Sequence, residues 1–201
     1  MPVRLQYAQA FLFYPMVNDP LYFMGIMPPV DIQHEITLTK EYFRDTYGAS
    51  HALKSPPHIT LVPPFRLPVS GEKDLIHNLK SFAAAEEAFS IQLENFNAFP
   101  PRVIFVDVKP AEKLNGLYER ITGFAAGALG HSVGSKGNRH FSPHVTVAFK
   151  DLRKEDFNDA WPEFRNKKIN FEFVADRITL FKHNGRKWEI LYQAGFATHP
   201  E

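Results

Sequence analysis

The chain has 201 residues, 44% of them hydrophobic and 22% charged, a globular balance that excludes a disordered tail protein and allows a sizeable core without covalent staples. Its 23 Lys+Arg against 22 Asp+Glu leave a net charge of +1, which excludes a broadly basic, sequence-blind nucleic-acid coat; any nucleic-acid role has to rest on a local site. The absence of cysteine excludes disulfide scaffolds, cysteine nucleophiles and thiolate metal sites, and a reducing cytoplasm is the expected compartment.

Strand-like and helix-like patterns alternate along the chain, which predicts an α/β or α+β fold. Ala10–Val17 is too short to span a bilayer and lacks a cleavage site; it reads as a first strand, closed by the turn signal Asn18-Asp19-Pro20. Asp31 to Tyr47 fits a helix, with Ile32, Ile36, Leu38, Tyr42 and Phe43 on its apolar side and Gly48 as its stop. His58–Val62 is a strand fenced by Pro56-Pro57 and Pro63-Pro64. Ser70 to Glu87 is a helix with Ser70 as N-cap and Leu75, Leu79 and Phe82 on one face.

Phe89–Phe99 and Arg102–Val108 are neighbouring strands that meet at Pro100-Pro101. Ala111–Leu129 is a helix with Leu114, Leu117, Tyr118 and Ile121 as its core stripe, and Gly130 lies past its end. A polar loop, Ser132 to Arg139, leads into a strand over Pro143–Phe149, where parity sends Phe149 to the same face as Val145 and Val147. Leu152–Asn166 is a polar helix or pair of turns around Trp161-Pro162. Two long strands, Ile169–Lys182 and Lys187–Phe196, close the chain through the hairpin signal Asn184-Gly185. No linker or shift in composition divides residues 1–201, so a single domain is expected.

One pentapeptide pattern occurs twice. Pro57-His58-Ile59-Thr60-Leu61 and Pro143-His144-Val145-Thr146-Val147 are both Pro-His-aliphatic-Thr-aliphatic, with the histidines 86 positions apart. Side chains alternate along a strand, so His58 and Thr60 share one face while Ile59 and Leu61 take the other; the second copy has the same parity. Two such strands facing a cleft offer two imidazoles and two hydroxyls. A pair of histidines can act as base and acid near neutral pH, and threonine hydroxyls can donate to phosphate oxygens without adding charge. Hydrolysis or transesterification of a phosphodiester fits this inventory, with no metal and no cofactor required. A strand-end histidine bonded to backbone is the ordinary reading of either copy alone, but the repeat with matched parity argues against it. The other seven, His34, His51, His77, His131, His140, His183 and His199, read as surface or loop residues.

His58-Ile59-Thr60-Leu61 and His144-Val145-Thr146-Val147 resemble the paired His-x-Thr/Ser-x motifs of the 2H phosphoesterase superfamily, which includes the 2′-5′ RNA ligases and cyclic phosphodiesterases. Phe141-Ser142-Pro143 before the second motif and the closing strand pair extend the resemblance over nearly the whole chain. It implies a bilobal α/β fold with pseudo-two-fold symmetry, two antiparallel-rich sheets and flanking helices around a central cleft. It also implies metal-independent action on 2′,3′-cyclic phosphates or 2′-5′ linkages of RNA ends or small nucleotides. His58 and His144 then take the acid and base positions, with both limbs of the pH profile near neutrality, and Thr60 and Thr146 the phosphate-holding ones. For the opening of a cyclic phosphate by water, the resemblance makes His144 the base and His58 the acid. The chain departs from many RNA-ligase-type members at Ala148-Phe149-Lys150, where they carry an arginine, and Leu61-Val62-Pro63-Pro64-Phe65 resembles a less characterised bacterial branch.

Three further residues are candidates for substrate contact. Lys136 and Arg139 lie in the loop before the second motif and would face phosphate at the cleft mouth; Phe141 is placed to stack on a base. The alternative class is a module that binds a nucleotide or RNA end without turnover. Two other patterns lack their required context. Gly130-His131-Ser132-Val133-Gly134 matches a serine-hydrolase elbow but does not follow a strand or open a helix. His140 and His144 have metal-ligand spacing, but Pro143 stands between them without a carboxylate.

Overall fold

The computed structural model describes residues 19–129 and 141–197. It contains eight strands: β1 (Leu21–Ile26), β2 (Ile59–Arg66), β3 (Phe89–Phe99), β4 (Val103–Val108), β5 (His144–Ala148), β6 (Asn170–Ala175), β7 (Arg177–His183) and β8 (Trp188–Gly195). Four α-helices accompany them: α1 (Val30–Tyr47), α2 (Glu72–Ala83), α3 (Glu112–Leu129) and α4 (Lys154–Phe164). The strands form one ladder in the order β6-β3-β4-β5-β2-β1-β7-β8, every neighbouring pair antiparallel. The two expected sheets are the four-stranded halves of this ladder, and they join at its centre through the pair Ile59↔Val145.

The halves have matching construction. In one, β1 leads through the 18-residue α1 to β2; in the other, β4 leads through the 18-residue α3 to β5. Each helix crosses the centre: α1 packs on β5 and α3 on β2. All four helices contribute to one core on one face of the sheet. There Ile32, Ile36 and Phe43 of α1 meet Leu114, Leu117 and Ile121 of α3, together with Ile59 and Leu61 of β2 and Val145 and Val147 of β5. Slipping both motif strands by one residue would expose those last four side chains, at about 1.5–3 kcal/mol each. A loss of roughly 6–12 kcal/mol is comparable with the whole stability of a domain, so the parity of both motifs is locked.

Several expected elements are redrawn. Ala10–Val17, the expected first strand, lies outside the described residues, and the first described strand is β1, just past the turn signal. There Tyr22, Phe23, Met24 and Ile26 are all buried, so alternation is invisible in a strand covered on both faces. The strand expected to stop before Pro63-Pro64 runs through them to Arg66. β1 pairs Met24 with Val62 and Tyr22 with Phe65, so the ladder skips both prolines, and among the described residues no strand pairs with β2 on its other side there; the missing proline N–H groups thus fall at an irregularity of the ladder. Ser70 is not a helix cap: Val69–Gly71 form a 3₁₀ turn, and α2 starts at Glu72 with no side-chain cap. Leu38 is exposed; the position facing inward on the next turn of α1 is Lys40. The expected strand Ile169–Lys182 is two, broken at Asp176: β6 edges one half and β7 belongs to the other. Phe149 lies past the end of β5, edge-on to His51 at 4.9 Å.

Candidate active site

The ladder itself assembles the two motifs. Ile59 is the partner of Val145 in an antiparallel pair. Continuing that register by one residue sets His58 opposite Thr146 and Thr60 opposite His144. All four side chains then stand on the face away from the helices, since their odd-numbered neighbours point into the core. The two histidines occupy diagonal corners of this rectangle, with Cβ atoms about 7–8 Å apart for such a diagonal. A tetrahedral phosphate fits between imidazoles set this way, with a hydroxyl at each remaining corner.

Both motifs carry the same irregularity. Gly25 pairs with Thr60 but Met24 with Val62, so Leu61 is an extra residue on β2. Phe105 pairs with Thr146 but Ile104 with Ala148, so Val147 is an extra residue on β5. The last aliphatic residue of each pentapeptide is therefore a bulge that bends its strand just beyond the site.

The imidazoles are held alike. Nδ1 of His58 lies 2.7 Å from the Pro56 carbonyl oxygen, and Nδ1 of His144 lies 2.7 Å from that of Ser142. A carbonyl can only accept, so each Nδ1 carries a proton and each Nε2 is left to exchange one with a substrate. The turn before each motif thus selects the tautomer as well as the ring orientation.

Their surroundings differ. The His58 ring packs on Phe23 at 4.6 Å and Phe181 at 5.4 Å. Both are almost fully buried on the motif face, and they stack on each other at 4.2 Å. Gly25 lies beneath: a Cβ there would come 2.6 Å from the Ile59 carbonyl oxygen and 3.6 Å from Cδ2 of His58. Desolvation, opposed by the Pro56 carbonyl and reinforced by the charges of Lys40 and His144, pushes His58 down to about 4. His144 instead lies against Phe105 at 4.8 Å and edge-on to Phe99 at 5.2 Å. Phe99 is 42% exposed.

The register thus brings His58, Thr60, His144 and Thr146 together. Lys136 and Arg139, with the Gly130–Gly134 elbow pattern and His140, lie outside the described residues. Phe141 is half-buried, with one ring face stacked on Tyr118 of α3 at 3.8 Å. Sequence reasoning missed Phe23, Phe181, Phe99 and Gly25. Only the glycine inside an apolar run signals a close backbone approach from sequence, since the aromatics look like ordinary core. Among the described residues no cluster of three or more His, Asp or Glu is placed to hold a metal ion. No described helix is long and apolar enough to cross a membrane.

An eight-stranded antiparallel sheet with two His-x-Thr strands at its centre is the architecture of a 2H phosphoesterase. The sequence model of the 2′-5′ RNA ligase superfamily matches residues 28–187, and the chain belongs to that family. Among its relatives, a "putative phosphoesterase" of Geobacillus sp. strain WCH70 is 29% identical over 153 residues, spanning 74% of this chain and 82% of the relative. Another of that name, from Geobacillus kaustophilus, is 28% identical over 173 residues, spanning 84% and 92%. The fold is similar to that of TT0787 of Thermus thermophilus, with a TM-score of 0.63 at 19% identity, covering 89% of this chain and all of that one. It is also similar to E. coli LigT, whose complex with 3′-AMP superposes with a TM-score of 0.60 at 19% identity over 90% of this chain and all of that one. The function supported by this membership is of the phosphodiesterase type.

Proposed function

We propose that this protein is a metal-independent phosphodiesterase that opens 2′,3′-cyclic phosphates, or cleaves 2′-5′ linkages, at RNA ends or on small nucleotides of the cytoplasm. The observation that carries this reading is the Ile59↔Val145 pair, whose register gathers the four motif side chains on one face. In the hydrolytic direction one Nε2 takes a proton from water as its oxygen bonds to phosphorus. The other Nε2–H delivers a proton to the ribose oxygen as the phosphorus–oxygen bond breaks, leaving a phosphomonoester and a free hydroxyl. Thr60 and Thr146 donate to the non-bridging oxygens and hold the group in line. LigT crystallised with 3′-AMP is consistent with a nucleotide in this position. Phe99, exposed beside His144, is suited to stack on the base, while Lys136 and Arg139 stay candidates for phosphate contact.

The test is incubation of chelator-treated protein with nucleoside 2′,3′-cyclic phosphates and 2′-5′ dinucleotides between pH 5 and 8. Turnover with a bell-shaped pH profile is expected, its lower limb drawn below neutrality by the desolvated His58. Binding without product at every pH would instead identify a nucleotide-binding module.

A further inference from the structure

The segments that flank the two motifs are tied to each other at one end of the cleft. Past β5, Lys150 has a left-handed φ of 58°, and the Asp151 N–H closes a tight turn onto the Phe149 carbonyl oxygen at 2.7 Å. A left-handed backbone is costly for a residue with a Cβ and is kept where surrounding contacts impose it. Here the contacts come from the segment before the first motif. Asp151 Oδ2 accepts the N–H groups of Ser50 at 2.9 Å and His51 at 2.8 Å, and the His51 ring stands edge-on to Phe149 at 4.9 Å. The turn thereby sets Lys150, over the Phe149 ring at 5.6 Å, beside His51.

Positive charge gathers at this point. Lys54 and Lys150 are exposed and form no ion pair among the described residues. Desolvation, and then the charges of Lys150 and Lys54, push the His51 imidazole below its ordinary value; Asp151 opposes them and His183 adds to them. His183 reaches His51 from the far side of the cleft. It follows Phe181 by two residues on β7, so it shares the motif face. Its ring meets Trp188 at 4.9 Å, Trp188 meets Phe23 at 4.7 Å, and Phe23 lies against His58 at 4.6 Å. Its Nδ1 accepts the Gly185 N–H at 3.1 Å, which puts a donor proton on Nε2.

The two ends of the site differ in sign. Continuing the β4–β5 register past Ile104↔Ala148 sets Val103 opposite Phe149, and Val103 pairs with Phe99. The exposed Phe99 ring therefore stands at the same end as Lys150. Toward the other end, Asp107 pairs with His144 and sets a carboxylate, held by Asn97 Nδ2 at 3.0 Å, on the motif face. A further phosphate on a bound nucleotide is repelled there and attracted at the Lys150 end.

We propose that Lys54, Lys150, His51 and His183 form a second phosphate site, which takes the phosphate one nucleotide removed from the reacting one. The substrate class that follows is an RNA end carrying at least one further phosphate, in preference to a cyclic mononucleotide. This rests on the phosphodiesterase reading of the motif site. A base on Phe99 and the further phosphate then occupy the same end of the cleft, and the lysines and imidazoles give that phosphate charge-assisted hydrogen bonds.

The test compares binding to the full chain by calorimetry at low ionic strength, where lysine–phosphate contacts count most. The probes are adenosine 3′-monophosphate and adenosine 3′,5′-bisphosphate, alike except for the 5′-phosphate that stands for the further phosphate of an RNA chain. The bisphosphate should bind about tenfold tighter or more, the effect of at least one charge-assisted hydrogen bond. Lys54→Met and Lys150→Met should each shrink that ratio several-fold, and the double variant should bring it close to one. Both side chains are exposed, so the fold does not depend on them. Lys80→Met, on the last turn of α2, removes the same charge and should leave the ratio as in wild type. Equal affinities in wild type, or an unchanged ratio in the folded double variant, would overturn the proposal. Turnover separates it from the reading it rests on. Hydrolysis of a cyclic mononucleotide with no gain from a 5′-phosphate removes the second site alone. A Lys150-dependent gain in binding without turnover keeps the site and removes the catalytic reading.

Discussion

The half centred on β2 and the half centred on β5 hold one motif in one register, yet they surround it differently. Around His58 the sheet is closed: Phe23 and Phe181 are buried under the ring, Gly25 leaves room for it, and Lys40 donates to the Ser55 carbonyl at the start of its approach. Around His144 it is open, with Phe105 buried but Phe99 exposed. Backbone pairing reproduces geometry between halves because it depends only on register. Side chains beyond the motif break the equivalence, and with it the chemical equivalence of two identical imidazoles. An acid–base pair needs that difference, since two histidines in the same protonation state cannot both give and take a proton.

The largest expected effect comes from breaking either corner. His58→Ala and His144→Ala should each lower turnover of a cyclic phosphate by about 10²- to 10⁴-fold. Because the pair acts as a unit, the double variant should be little worse than the poorer single one in steady-state assays. Full activity in either single variant would remove the mechanism.

The pH dependence of stability sharpens the contrast. The folded protein holds His58 at about 4, below the ordinary value of about 6.5, so the unfolded chain takes up this proton first as pH falls. The stability from this group is whole above pH 6.5 and is lost between about 6.5 and 4, to a total of about 3 kcal/mol. Urea midpoints measured at pH 7 and 4.5 should therefore lie closer together in His58→Asn than in wild type. If His144→Asn narrows the gap as much, the two halves are alike in this respect.

Gly25→Ala forces a Cβ against the Ile59 carbonyl and should cost about 1–3 kcal/mol of stability, the usual penalty of overpacking. It should also displace the His58 Cε1–H resonance more than that of His144. Phe99→Ala should raise KM about tenfold with kcat nearly kept, since a stacked base is worth about 1–3 kcal/mol. An unchanged KM would place the base elsewhere. Smallest are Thr60→Val and Thr146→Val, at about tenfold each in kcat/KM, for one lost hydrogen bond of about 1.4 kcal/mol to an anionic oxygen.

By itself the sequence determined whatever depends on local periodicity and on repetition. Alternation set the parity of both motifs, Gly48 ended α1 with a left-handed φ of 68°, and Asn184-Gly185 turned β7 into β8, with Asn184 Oδ1 accepting the Arg186 and Lys187 N–H groups. The repeated pentapeptide named all four motif residues because its spacing survives without knowledge of partners. Tertiary structure decided the rest. Periodicity cannot register a strand buried on both faces, as β1 is, or that a proline pair falls where the ladder skips, as at Pro63-Pro64. Nor can it tell that Ile169–Lys182 divides between opposite halves of the sheet. The same limit applies to the site: that a lysine on α1 lies buried and donates to the Ser55 carbonyl, at the start of the turn leading to His58, follows from tertiary packing. Such contacts are made between residues far apart in the chain, and only the folded core brings them within reach of one another.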